Sequence, residues 1–176
     1  GQVELTSGIT DFQLKEDFQW YANNSNSMSF GFNTIYHTFI PGDLKSSIEG
    51  ISVSMDNKYA LESGLYASNE QKVTDYITLN YGLRFSLFTI IGPGTTYTYD
   101  NNHERIDSTV YKKREIIENY PSLEPRLGAT FILNSRSSIK MSYTLSNQYV
   151  HLIQSSTSSL PTDYWIPSSA LTPPQK

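Results

Sequence analysis

The side chains with the means to do chemistry are few and scattered. With no cysteine in the chain, thiolate nucleophiles, disulfides and Cys-based zinc or iron–sulfur ligation are all removed at once. The histidines, His37, His103 and His151, fall on different elements, without the His-x-x-x-His or Glu-x-x-His spacing that brings two ligands to one metal. Gly92-Pro93-Gly94 lacks the Lys-Ser/Thr of a phosphate loop, and its proline deletes a donor that a phosphate would want, so it reads as a turn. No serine sits in Gly-x-Ser-x-Gly. Glu115 with Glu118, or Asp163 with His151 through loop proximity, have the groups for acid–base work, but solvated loop charge is the plainer account. The expectation is no enzyme, with no catalytic, cofactor-binding or metal site.

Two sets of charges remain. Lys112-Lys113-Arg114, followed by Glu115, stand in a long connection and have the sign to meet an anionic surface or a ligand phosphate, or to be a solvated loop face. Lys58, Glu62, Arg84, Arg126 and Lys140 share a different feature: each occupies the polar parity of an alternating segment. In a membrane barrel that parity points into the lumen, where charges touch a plug, order water or select solutes. Salt bridging within the wall is the structural alternative.

The elements that must position these charges are strands. From Asp75 to Thr89 the odd positions read Ile77, Leu79, Tyr81, Leu83, Phe85 and Leu87, the even ones Thr78, Asn80, Gly82, Arg84 and Ser86. A helix would mix the two sets, whereas a strand puts them on opposite faces. The same parity runs through Leu127–Leu133 and Ile139–Leu145, and weaker versions through Phe12–Trp20, Met28–Tyr36 and Tyr59–Leu65. The pattern predicts about six strands, near Asp11–Ala22, Met28–Ile40, Asp56–Ala67, Asp75–Ile90, Glu124–Leu133 and Ser138–Gln154. Short polar turns at Asn23–Ser27 and Asn134–Ser137, and a modest one at Ser68–Thr74, alternate with long loops at 41–55, 91–123 and 155–176. The expected fold is an all-β antiparallel up-and-down meander with sequential neighbours paired. Strands of roughly 10–16 residues, at a rise of ~3.3 Å and a tilt near 45°, are long enough to cross a bilayer's hydrocarbon core. Long alternating strands with short turns at one end and long loops at the other are the pattern of a large transmembrane β-barrel. A small soluble β-barrel or sandwich shows the same parity with inside and outside exchanged, so strand length and loop asymmetry alone favour the membrane reading.

Composition agrees with a β-rich chain and narrows its partners. The 176 residues (19.9 kDa) suit a single partial barrel domain over 1–176. Charged residues make up 17%, aromatics 13%, and the net charge is −4 with a pI near 5.3, which opposes a basic nucleic-acid-binding face. Mean hydropathy of −0.41, with no long apolar run, excludes spanning helices. A start at Gly1, without a basic-then-apolar leader, suggests a processed or trimmed product.

Tyr81-Gly82-Leu83-Arg84-Phe85, then Tyr120-Pro121-Ser122-Leu123-Glu124-Pro125-Arg126-Leu127, then Gln148-Tyr149-Val150-His151-Leu152 and Leu160-Pro161-Thr162-Asp163-Tyr164-Trp165-Ile166-Pro167-Ser168 together resemble the barrel of TonB-dependent outer-membrane receptors, most strongly over Tyr59–Ser168. The resemblance implies the cell outer membrane of a Gram-negative bacterium and a barrel of about twenty-two strands closed by a plug domain. It also implies energised uptake of a nutrient ligand through a TonB-type protein, with long extracellular loops helping to capture that ligand. The chain departs from the pattern in having neither plug nor TonB-contacting segment and far fewer strands, so it is expected to be a section that cannot transport alone. No individual ligand contact carries over. The other function class left open is a non-transport surface or secreted β-rich module.

Overall fold

A computed structural model describes residues 3–46, 52–54, 56–100, 104–153, 164–169 and 172–176. Its strands are β1 (Val3–Asn23), β2 (Asn26–Ser46), β3 (Ser52–Ser54), β4 (Lys58–Thr74), β5 (Ile77–Ile91), β6 (Gly94–Tyr99), β7 (Arg105–Tyr111), β8 (Ile116–Asn134), β9 (Ser137–Thr144), β10 (Val150–Ile153) and β11 (Tyr164–Pro167). The main sheet runs β1-β2-β4-β5-β8-β9, every pair antiparallel, with β3 added to β2. This is the expected six-strand meander, all-β, and its described strands do not close into a barrel. β6–β7 and β10–β11 are separate two-stranded ladders.

Hairpin chemistry fixes one end of the sheet. β1–β2, β4–β5 and β8–β9 are each joined by two residues, and each turn begins with a side chain that accepts from the amide two residues on. Asn23 Oδ1 accepts from Ser25 N (2.9 Å), Thr74 Oγ1 from Tyr76 N (3.2 Å) and Asn134 Oδ1 from Arg136 N (2.9 Å). Such local acceptors draw the chain out of the ladder and into a turn.

At the other end the strands run further than periodicity indicates. β2 continues through Pro41 to Ser46, and Ser68–Thr74, expected as a turn, is strand as far as Thr74. The expected 91–123 loop is largely strand: β5 reaches Ile91, β6 and β7 form a hairpin, and β8 begins at Ile116. The reason is that ladder hydrogen bonds, which every residue type can make, outlast the apolar alternation that reveals a strand in sequence. The last expected strand, Ser138–Gln154, errs the other way. Pairing with β8 ends at Thr144, after a final bond from Leu145 N to the Pro125 carbonyl (3.1 Å), and the chain turns off the sheet. Apolar residues switch parity there, from Leu145 to Val150 and Leu152.

Register sorts the side chains into two faces. On the outer face lie Phe12, Leu14, Phe18, Trp20, Phe30, Leu61, Leu65, Leu83, Phe85, Leu123, Leu127 and Met141, all more than a third exposed; Leu65 reaches 63% and Phe12 70%. On the inner face a small core forms toward the loop end from Phe39, Ala60, Phe88 and Ile90, capped by Tyr149 from beyond β9. β11 also lies against β1, β2 and β4.

Candidate functional site

The inner face carries a polar chain that runs across five strands, half-exposed at Asp11 and buried at His37 and Glu124. The pairing Asp11↔His37, with Glu62, Arg84 and Glu124 at inner positions of β4, β5 and β8, puts one ionisable group on each successive strand. His37 Nδ1 donates to Asp11 Oδ1 (2.8 Å), and its Nε2 lies 3.8 Å from Glu62 Oε2. Arg84 Nη2 donates to the other Glu62 oxygen (3.4 Å), while its Nε lies 3.6 Å from Glu124 Oε2. Ser86 Oγ then donates to Glu124 Oε1 (2.9 Å) and stands 2.7 Å from the Tyr149 hydroxyl, which must donate to it because the Ser86 proton is already engaged. Ser86 is fully buried, and Glu124 and His37 are 4% and 5% exposed.

Local sequence makes room for this chain. A Cβ on Gly64 would meet Arg84 Nη2 and Asn33 Oδ1, each at 2.7 Å, so glycine is what lets the guanidinium lie flat across β4. Toward the turns, Tyr66 hydrogen-bonds Asp17, which is also paired with Lys15 at 2.7 Å. Burial pushes the Tyr149 phenol above its ordinary value of 10.0, so this hydroxyl keeps its proton and remains a donor at neutral pH.

Of the charges singled out in sequence, Glu62 and Arg84 meet. Lys58, Arg126 and Lys140 share their face but are exposed; Arg126 and Lys140 border a shallow open groove near the turns with Asn80, Gly82, Gly128 and Ser142. Lys112, Lys113 and Arg114 are exposed too, yet they form a tight turn rather than the middle of a long loop. Arg114 adopts φ 68° and donates its amide to the Gly92 carbonyl (2.9 Å), while Glu115 Oε2 accepts from Lys112 N (2.5 Å). Glu115 is thereby occupied as a turn cap. His151 Nε2 lies 2.9 Å from Ser168 Oγ; Asp163 and His103 lie outside the described residues. Among the described residues no group of three or more His, Asp or Glu is placed to hold a metal ion.

Sequence reading missed Asp11, His37, Ser86, Glu124 and Tyr149. Ser86 and Glu124 were legible, since they share the even parity of Arg84 and Arg126. Asp11 and His37 required the β1–β2 register, and Tyr149, though inside a segment that carries the resemblance, bore no sign in the sequence of its contact with Ser86 and Phe88.

The outer face has its own order. On β2 and β4 its apolar positions end toward the turns at a polar cluster in which Asn69 Nδ2 donates to Asn26 Oδ1 (3.0 Å) and to the Tyr81 oxygen (2.9 Å), and Tyr81 donates to Gln71 Oε1 (3.3 Å). On β5, β8 and β9 they continue past that level through Leu79, Ala129 and Met141 to Ile77, Phe131 and Ile139. Toward the loops they are bounded by the Tyr36–Tyr59 ring pair (6.2 Å) and by Thr89 donating to Asn119 (2.8 Å). From Tyr59 to Asn69 is about ten residues, roughly 33 Å along the strand, or about 23–27 Å in height at the 35–45° tilt of membrane barrels. Within the band Thr34 and Ser63 satisfy each other (3.2 Å), and Glu16, on edge strand β1, interrupts it.

No family model, no characterised protein and no solved structure matches this chain.

Proposed function

We propose that the chain is a wall section of an outer-membrane TonB-dependent receptor, its outer face against lipid and its inner face lining the lumen. In the receptor a plug domain closes that lumen, a TonB-type protein supplies the energy, and the loop-end elements help capture a nutrient ligand. One observation carries this reading: the apolar face is bare, while the opposite face, apart from the small core at Phe39, Ala60, Phe88 and Ile90, is polar and charged and covers His37, Ser86 and Glu124. A soluble β domain buries its apolar face and exposes its polar one; lipid reverses the assignment. Along β4 the bare stretch from Tyr59 to Asn69 is about 25 Å tall, the height of a lipid-facing belt.

The wall is built for stiffness as well as for its solvent. Charges in the lumen are compensated in a row, Asp11–His37–Glu62–Arg84–Glu124, so no carboxylate is buried without a partner. The β6–β7 hairpin projects at the loop end, where Arg105 lies over the Tyr97 ring at 4.2 Å and Ile106 and Val110 are exposed. It is the element best placed to meet ligand outside the membrane.

The open sheet sets the test. With β1 and β9 as edges unpaired among the described residues, six strands fall short of the eight or so of the smallest single-chain barrels. The purified chain in planar bilayers is expected to give no discrete single-channel conductance. In the receptor containing this section, deleting Gly94–Tyr111 is expected to leave assembly intact and to lower ligand uptake. Steady conductance by a monomer, or unchanged uptake after the deletion, would overturn the proposal.

A further inference from the structure

Among the described residues, Tyr149 is the one aromatic ring of the inner core that does not belong to the sheet. Its ring lies flat on Phe88, with centroids 4.9 Å apart and an interplanar angle of 1°. Its hydroxyl meets Ser86, which hands the hydrogen bond on to Glu124. The wall beneath it is thus a built recess: an aromatic floor at Phe88, fully buried, beside a fully buried hydroxyl and a carboxylate at 4% exposure. The ring enters from a segment that has left the ladder at Leu145. That segment is held by the Gln148–Gln175 bridge and by Ser168, whose amide and hydroxyl both donate to the Tyr149 carbonyl (2.7 and 2.9 Å).

We propose that the Phe88–Ser86–Glu124 recess is a binding site for a phenolic ring, occupied by Tyr149 until a ligand of the same chemistry displaces it. Each half of the recess selects one half of a phenol. Phe88 offers a face to a planar ring, and offset or parallel aromatic contacts of this spacing are favourable beyond the area they bury. The Ser86 oxygen, whose own proton is committed to Glu124, offers a buried acceptor that loses its donor when no hydroxyl faces it. A sugar ring carries several hydroxyls and would leave most of them without partners here; a bare aromatic would leave the Ser86 oxygen without a donor, its proton remaining on Glu124. The occupant is therefore a self-ligand, and displacement lifts the Leu145–Ile153 segment from the wall. The inference rests on the recess alone and holds whichever solvent meets the outer face.

The absence of native cysteine gives a clean test in the full chain, with far-UV circular dichroism reporting the β fold. In Tyr149→Ala, para-cresol is expected to bind about tenfold more tightly than toluene, the worth of one hydrogen bond to a buried acceptor, and Ser86→Ala on that background should erase the difference. In the chain with Tyr149 present, a single thiol at Val150→Cys, packed against the core, should be labelled several-fold faster with para-cresol than without, and toluene should have little effect. Equal binding of cresol and toluene by Tyr149→Ala would mean a greasy void and would overturn the proposal. If that variant does not fold, the Val150→Cys chain decides: labelling unchanged by cresol, or raised equally by toluene, would overturn it as well.

Discussion

The two faces of the sheet are made by the same strands and obey opposite rules. On β5, Leu83 and Phe85 point outward and stand 48% and 46% exposed, while Ser86 and Phe88, their near neighbours in sequence, are fully buried. Burial on the inner side does not follow hydrophobicity: serine, glutamate, histidine and asparagine are covered there as completely as phenylalanine. In an aqueous protein such polar burial is the exception and demands a partner for every group. Here Asp11, His37, Glu62, Arg84, Glu124 and Ser86 partner one another in a row, Asn33 Oδ1 and His37 Nε2 are buried without a hydrogen bond, and the outer apolar groups lie bare. The contrast says that inner-face stability comes from complementarity inside the protein, whereas outer-face stability is set by whatever solvent the protein meets.

The largest effect is expected where the inner face is driest. Phe88→Ala removes the floor under Tyr149 and should cost about 3–5 kcal/mol, read as a lower midpoint of denaturant unfolding. On the outer face Leu83→Arg should cost about 2–4 kcal/mol in lipid if its depth is near the midplane, while Leu83→Ala should cost far less than Phe88→Ala. A loss as large as that of Phe88→Ala for Leu83→Ala would mean that Leu83 is core, and the contrast between faces would collapse.

Within the polar row, Glu124→Gln keeps shape and removes charge. It leaves Arg84 with Glu62 alone and should cost about 1–3 kcal/mol, the range for a hydrogen bond to a charged group. The double variant Glu62→Gln/Glu124→Gln should lose more than the sum of the singles, because the half-buried guanidinium then has no carboxylate beside it. Additive losses would show that Arg84 reaches water instead.

A smaller effect concerns pH. Burial raises the Tyr149 phenol above 10.0 in the folded chain, so the folded state favours the protonated form. Its contribution is fully present below the unfolded value and is lost as pH rises through the folded one. Wild type should therefore lose more stability than Tyr149→Phe on going above pH 10, measured by unfolding in both chains; equal losses would mean that the phenol is not held. The smallest effect belongs to the turn: replacing Lys112, Lys113 and Arg114 by serine should move stability within about 0.5 kcal/mol, as for exposed charges generally.

How much of this was legible in sequence divides along the same line. The strands and their order were readable from Ile77–Leu87 and Ile139–Leu145, because each outer position is apolar and each inner one polar for several residues in a row. The strand ends at Pro41–Ser46 and at Ile116–Leu123 were not, since proline and mixed polarity blur the alternation while the backbone ladder continues. Parity put Glu62 and Arg84 on one face and could not show that they touch, because contact depends on the β4–β5 register and on the missing side chain at Gly64. Tyr149 lay beyond any periodic argument, since it reaches Phe88 by leaving the sheet.

The claim that the outer face meets lipid is tested most directly by depth-resolved quenching. Single cysteines replace Leu83, Arg84 and Phe85 in turn, each carrying a fluorophore, in the chain inserted into phospholipid vesicles or in the receptor containing it. Quenchers attached to the acyl chains should darken the labels at positions 83 and 85 and spare the one at 84, which a water-soluble quencher in the lumen should reach instead. Equal lipid quenching at all three positions, or none at 83 and 85, would contradict the account.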